Sequence, residues 1–229
     1  DLAGQPGSTY SVITKVNGVP VDTTDAVAPW SNVFLTLKLD RPAGGTTLDN
    51  VNYTYSPNDC SVGDVDGDGE YEIFVKWDPS NAKDNSHSGY SGNVFIDCYK
   101  LDGTKLWRID LGKNIRAGAH YTQFMVYDFD KDGKAELICK TAPGSKDADG
   151  FYVSAAATDE GLKAAVNNRE DYRGSDGRVV NGPEYLTVFN GLTGKAVHTV
   201  YYNPNRRFGL GEVASSGFVD WGGDSYGNR

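Results

Sequence analysis

The sequence predicts an all-β chain built from repeated strand–turn–strand units, of the kind that stack radially as the blades of a β-propeller. Three observations lead there. The 229 residues include 28 Gly, 14 Tyr and 4 Trp, a composition rich in turns and strand-forming aromatics. The apolar runs are short and bounded by Gly, Asn and Asp, which is how strands are punctuated. One nine-residue acidic segment recurs after 64 residues, starting at Asp64 and again at Asp128.

That segment reads Asp64-Val65-Asp66-Gly67-Asp68-Gly69-Glu70-Tyr71-Glu72. Acids stand at positions 1, 3, 5 and 9, so alternate side chains turn inward and present oxygens to a hard cation. Gly69 permits the sharp turn, and the carbonyl of Glu70 at position 7 adds a further oxygen. An EF-hand closes with Glu at position 12 and runs into a helix. Here Glu72 closes at position 9, and Ile73-Phe74-Val75-Lys76-Trp77 follows, which reads as a strand. The second copy places Asp128, Asp130, Asp132, Lys134 and Glu136 at the same offsets, with Gly133 at the turn. The bland alternative is a solvated Asp-Gly turn. Two copies sharing the glycine and the closing Glu favour calcium loops between strands.

Taken in order, Thr9 to Val16 alternates like a half-buried strand, Asn17-Gly18 signals a hairpin, and Val19-Pro20-Val21 leads out. Trp30 to Leu39 reads as another extended stretch. These segments are expected to be the last strands of a small β-sandwich, in a domain covering residues 1–41. From residue 42 to 229 the chain falls into blade-like units. Strands are expected around Tyr53–Tyr55, after each acidic loop, at Val94–Tyr99, Lys105–Asp110, Phe124–Tyr127 and Tyr185–Phe189, and from Lys195 to Tyr202. Two long polar loops intervene, Asp78 to Ser91 and roughly 141–183. The second holds the one helical expectation, Glu160 to Val166. Propellers close with about four to eight blades. Fewer than three fit here, so the chain is expected to be a fragment of a larger ring.

The formal charge of −9 argues against nucleic acid as a partner. No segment has the apolar length of a membrane-spanning helix. Cys60, Cys98 and Cys139 are odd in number and widely spaced, which reads as small buried hydrophobes rather than a disulfide framework. Calcium loops of this weak type fill readily where calcium is abundant, which leans toward an extracellular, secreted protein.

The segments "PAGGTT", "SPNDCSVGDVDGDGEYE", "VKWDPSNAKDNSHSGYSGNVFIDCYKLDGTKLWRIDLGKNIRAGAHYTQFMVYDFDKDGKAEL", "NGPEYLTVFNGLTGK" and "DWGGDSYGNR" resemble polysaccharide lyase family 11, the bacterial rhamnogalacturonan lyases. The resemblance implies an eight-bladed calcium-stabilised propeller preceded by a fibronectin-like domain. It implies β-elimination at the rhamnose–galacturonate bond of rhamnogalacturonan I, a pectin polysaccharide. In that chemistry a cation on the uronate carboxylate acidifies C5–H, a basic side chain takes the proton, and the C4 oxygen leaves. The full-length protein is expected to be a monomer. Two alternatives fit calcium loops equally well: a non-catalytic calcium propeller used in adhesion, and a carbohydrate-binding module.

By resemblance, Asn58 faces sugar, Asp59 ligates calcium, and Asp78 contacts substrate. The bland alternatives are a turn at Pro57-Asn58-Asp59 and a cap at Asp78. Trp77 reads as core before it reads as a stacking platform. Arg116 and His120, in "NIRAGAH", are candidates for the site, with a structural role the simpler reading. Lys76 and Lys140 end the strands after the two loops and are expected at the surface. Asp147 and Asp149 have weaker ligand spacing and are not counted as a site. The proton-abstracting base is expected outside this chain, which alone would then be inactive.

Overall fold

The structure, a computed structural model, describes residues 7–29, 32, 34–84, 86–118, 121–180 and 182–203. The chain divides into two units, residues 1–38 and 39–229. His120 and the tail from 204 onward lie outside the described residues.

In the first unit, β1 (Ile13–Val16) pairs antiparallel with β2 (Val19–Thr23). The turn is the one Asn-Gly predicts: Asn17 has φ 51° and Gly18 φ 80°, the left-handed pair of a type I′ hairpin. The extended stretch expected at Trp30–Leu39 does not form a strand at residues 34–39; Trp30, Ser31 and Val33 are not described. Phe34 and Leu35 stay exposed. The end of this stretch is held instead by side chains of the second unit's own core. Leu39 packs on the Tyr55–Val75–Trp77–Tyr99 cluster, and the Asp40 N–H donates to the Tyr99 hydroxyl at 3.1 Å.

The second unit begins with a two-stranded ladder, β3 (Gly45–Thr46) on β4 (Asn52–Tyr53). Two four-stranded antiparallel sheets follow. The first is β5 (Tyr55–Gly63), β6 (Glu72–Pro79), β7 (Phe95–Tyr99) and β8 (Lys105–Asp110), in that spatial order. The second is β9 (Phe124–Tyr127), β10 (Glu136–Thr141), β11 (Tyr185–Asn190) and β12 (Ala196–Tyr201), also in sequence order. Each is a simple meander, and each carries its acidic loop between its first two strands. Among the described residues neither sheet closes on itself.

The main core joins the two sheets. Phe74, Ile96, Cys98, Trp107 and Ile109 from the first pack in one buried cluster with Leu137, Cys139, Tyr185 and Phe189 from the second. The Trp107 indole N–H donates to the Gly191 carbonyl at 2.7 Å, tying β8 to the turn after β11. The opposite face of the first sheet buries Tyr55, Val75, Trp77 and Tyr99. Trp77 is therefore core, and its indole donates to buried Asp97 at 2.9 Å. Arg108 and Tyr99 satisfy the rest of that carboxylate, as a buried charge requires.

The helix is shorter than expected. It spans Glu160–Lys163, with Asp159 Oδ1 accepting from the Leu162 N–H at 2.7 Å as its N-cap. Leu162 is buried but Val166 is 95% exposed, so no apolar face exists to extend it. The cysteines are free. Cys98 and Cys139 are buried as expected, and burial pushes the Cys139 thiol up to about 12. Cys60 is a correction: it is exposed, because β5 shows most of its length to solvent.

Candidate functional site

Two distinct polar constellations sit at opposite ends of the β5–β6 hairpin. At one end lies the first acidic loop. Gly67 (φ 81°) and Gly69 (φ 88°) take the left-handed backbone that folds it. The Asp64 carboxylate accepts from the Gly67 and Gly69 N–H groups at 2.6 and 2.9 Å. Glu72, 2% exposed, returns across the loop to accept from the Val65 N–H at 2.9 Å. One oxygen from each of Asp64, Asp66 and Glu72 falls within a 4.8 Å cluster. The second loop repeats this arrangement with Asp128, Asp130 and Glu136. Glu136 accepts from the Phe129 N–H at 2.9 Å. Burial, with Asp130, Asp132 and Asp128 close by, pushes the Glu136 carboxyl above its usual range.

Both clusters could hold a metal ion. The donors are all oxygen, which suits a hard cation. Asp66 Oδ1 is buried without a hydrogen-bond partner, while its other oxygen accepts from the Lys100 ammonium at 2.7 Å; that ammonium stands 3.9 Å from Glu72 Oε1, so a positive charge already meets this cluster. Asp68 and Asp132 lie outside the 4.8 Å sets; each accepts from the N–H two residues on, Glu70 and Lys134, at 2.8 Å. The Glu70 and Lys134 side chains are exposed, leaving only their carbonyls for the role expected of position 7.

At the other end, β5 shifts register on β6 between Pro57 and Cys60. Asn58 and Asp59 are the bulged residues, so they sit in a strand irregularity rather than a loop turn. Bulges of this kind re-aim side chains, often beside functional sites. Asn58 Nδ2 donates to Asp78 Oδ2 at 2.5 Å. Asp78 lies within β6, opposite Ser56, and not in the loop that follows it. Burial pushes its carboxyl above the ordinary 3.8; Lys76 and the Asn58 hydrogen bond oppose this, and Asp59 adds to it.

Lys76 corrects the surface expectation. It is 1% exposed, and its ammonium forms an ion pair with the half-solvated Asp59 carboxylate, facing the Tyr121 carbonyl at 3.5 Å. Alternation along β6 puts Lys76 and Asp78 on the face of Phe74, the face that packs toward the second sheet. Lys140 is partly buried and pairs with Glu184 at 3.4 Å. Sequence reading put Lys76 at the surface because nothing local distinguishes a buried lysine; the nearby Asp59 and Asp78 were the available signal.

Arg116 is structural in its contacts. It is 1% exposed, and its guanidinium donates to the carbonyls of His87 and Gly89 at 2.6 and 3.0 Å, holding the loop after β6. Asp147 accepts from the Asp149 and Phe151 N–H groups at 3.1 and 3.0 Å, a local turn. At about 3.3 Å per residue, Lys76 and Asp78 stand roughly 13 and 20 Å along β6 from Glu72. A cation held by Asp64, Asp66 and Glu72 is too far to touch a molecule bound at Asn58 and Asp78. Asp59 accordingly stands with Lys76, apart from the loop carboxylates.

Comparison with known proteins assigns the chain. The description "Rhamnogalacturonan lyase family 11, C-terminal domain" matches residues 34–229. Rhamnogalacturonan endolyase YesW of Bacillus subtilis is 56% identical over all 229 residues, which are 33% of that relative. Rhamnogalacturonan exolyase YesX of the same organism is 51% identical over the same span, 34% of its length. The chain therefore spans about a third of the length of these curated relatives. Among solved structures, the Bacillus licheniformis rhamnogalacturonan lyase is similar at a TM-score of 0.80 and 52% identity, covering 98% of this chain and 35% of that one. The exotype lyase YesX is similar at 0.81 and 50% identity, covering 100% and 34%. With 196 of its residues inside the family match, the chain belongs to rhamnogalacturonan lyase family 11.

Proposed function

We propose that this chain is a portion of a secreted, calcium-dependent rhamnogalacturonan lyase that cleaves the rhamnose–galacturonate bond of rhamnogalacturonan I by β-elimination. The single observation that carries the reading is the family match across residues 34–229. The two meander sheets are read as consecutive blades of an eight-bladed propeller. The domains are read as 1–41, the end of a fibronectin-like domain, and 42–229, the first blades. The whole protein is read as a monomer.

The Asn58–Asp59–Lys76–Asp78 constellation is read as one wall of the substrate cleft. Asn58 and Asp78 face the solvent end of β5–β6 and offer amide and carboxylate groups to sugar hydroxyls. Lys76 offsets the charge of Asp59 and Asp78, which otherwise repel a polyuronate. Asp59 is the residue here suited to a cation shared with substrate. Such a cation, when bound, neutralises the uronate carboxylate and so acidifies the C5 proton. Lys76 is buried and paired with Asp59, so it is not a free base for that proton. The base is assigned to the part of the protein beyond this chain, which alone is inactive.

The four-fold acidic spacing of both loops, their oxygen-only donors and the orphaned Asp66 Oδ1 fit calcium as the structural ion. Absorbance at about 235 nm, the band of a 4,5-unsaturated uronate, tests the reading. Rhamnogalacturonan I and calcium are mixed with the full-length protein and, separately, with this chain. A calcium-dependent rise with the longer protein alone is expected. A rise with this chain as well overturns the placement of the base, and no rise with either overturns the lyase reading.

A further inference from the structure

We infer that the two carboxylate loops are a coupled pair, in which filling one with a cation strengthens binding at the other across the boundary between the sheets. This rests on the calcium reading of the loops above.

The link is a backbone hydrogen bond. The carbonyl of Asp64, position 1 of the first loop, accepts from the N–H of Ala135, position 8 of the second, at 2.7 Å. Ala135 directly precedes Glu136, the closing ligand of its own loop. One bond thus ties the residue that opens the first cluster to the neighbour of the residue that closes the second. The surrounding contacts leave little slack. A methyl group on Gly63 would lie 2.6 Å from Val126 Cγ1 and 2.7 Å from Ala135 Cβ. One on Gly191 would lie 1.9 Å from the Ala135 carbonyl oxygen and 2.9 Å from Val65 Cγ1. Val65 and Ala135, 1% and 5% exposed, are both part of the core that joins the sheets. The Val65 N–H is the donor that holds Glu72, so the first loop's closing ligand is reached through the same contact. A groove of about 220 Å³ opens between the loops, lined by Gly63, Asp64, Tyr71, Asp128, Gly133 and Ala135.

Ordering either loop therefore orders the backbone of the other, and the second cation meets a site whose conformational cost is already reduced. Charge acts the other way, since one bound cation lessens the attraction for the next. That opposing effect is screened by salt, because the loop tips are exposed. The hydrogen-bonded coupling is not.

Calorimetric titration of the chelator-treated chain with calcium chloride tests the inference, at about 0.1 M and about 0.5 M sodium chloride. Three variants are compared with the unmodified chain. Asp128→Asn with Asp130→Asn empties the second loop, Asp64→Asn with Asp66→Asn empties the first, and Ala135→Pro removes the donor N–H without changing charge. Coupling predicts that emptying either loop weakens the other by about five-fold or more, and that this persists at the higher salt. It predicts a similar weakening in Ala135→Pro. Unchanged affinity at the remaining loop overturns the coupling and leaves the calcium reading standing. Absence of calcium binding in every form overturns both. Should Ala135→Pro not fold, the unmodified chain decides the matter: an isotherm steeper than two independent sites supports coupling, and a non-cooperative one overturns it.

Discussion

The two four-stranded sheets repeat the same loop and diverge at the far end of the same strands. Counting 64 residues on from the first sheet, Glu72 becomes Glu136 and Lys76 becomes Lys140, but Asn58 becomes Thr122, Asp59 becomes Gln123 and Asp78 becomes Ala142. The second sheet keeps the cation loop and the lysine and lacks every other member of the polar constellation. Its lysine turns to Glu184 and to the ring of Tyr202, 5.8 Å away. The comparison separates two kinds of feature. The acidic loop belongs to the four-stranded sheet as a repeated unit, whereas the bulge cluster belongs to one of the two sheets.

The largest effect expected of this division is at the loops. Calcium at about 100 times its dissociation constant stabilises by about 2.7 kcal/mol per site, roughly 5–10 °C in a chain of this size. Asp66→Ala and Asp130→Ala should each lower the melting temperature in calcium and shrink the difference between calcium and chelator. Identical melting curves with and without chelator in the unmodified chain would refute the loops as calcium sites in either sheet.

Next comes the lysine. Asp59→Asn leaves Lys76 as a buried charge without its ion pair and should cost about 2 kcal/mol in denaturant unfolding. Glu184→Gln removes a partner of the more exposed Lys140 and should cost under about 1 kcal/mol. Equal costs would erase the distinction between the two ends.

Within the loops themselves, position 4 is Gly67 (φ 81°) in the first and Lys131 (φ 67°) in the second. A left-handed backbone is awkward for any residue with a Cβ. Lys131→Gly should therefore stabilise by about 1 kcal/mol and Gly67→Lys should cost about as much. Opposite signs in chemical denaturation bear out the shared geometry.

The smallest effect concerns pH. The Asp78 carboxyl is raised above 3.8 by burial, so the folded state holds its proton more tightly than the unfolded chain. Its handicap to stability is absent below about pH 4 and present once pH exceeds the raised folded value. Asp78→Asn should then stabilise by up to about 1 kcal/mol at pH 7 while weakening the proposed sugar contact, with the gain fading toward pH 4. A gain that is the same at both pH values would remove burial of the charge as its cause.

Much of this protein was legible before its coordinates. The Asn17-Gly18 turn, the all-β character and both acidic loops follow from short-range rules, because a turn or a nine-residue ligand spacing is complete within its own segment. Even the closing role of Glu72 and Glu136 follows from position alone. Tertiary structure decided the rest. Lys76 looks like any strand-end lysine until β6 is packed against the second sheet, and Cys60 looks like core until β5 is seen to be an edge strand. Asn58 and Asp78 are 20 residues apart in sequence and meet only through the β5–β6 register. That register turns on a bulge whose place no local pattern announces. The hydrogen bond from Ala135 to Asp64 is more remote still, joining two copies of one motif across sheets. A local spacing specifies which atoms a segment can offer; only the packing of one strand on another specifies which of them are buried, paired or brought together.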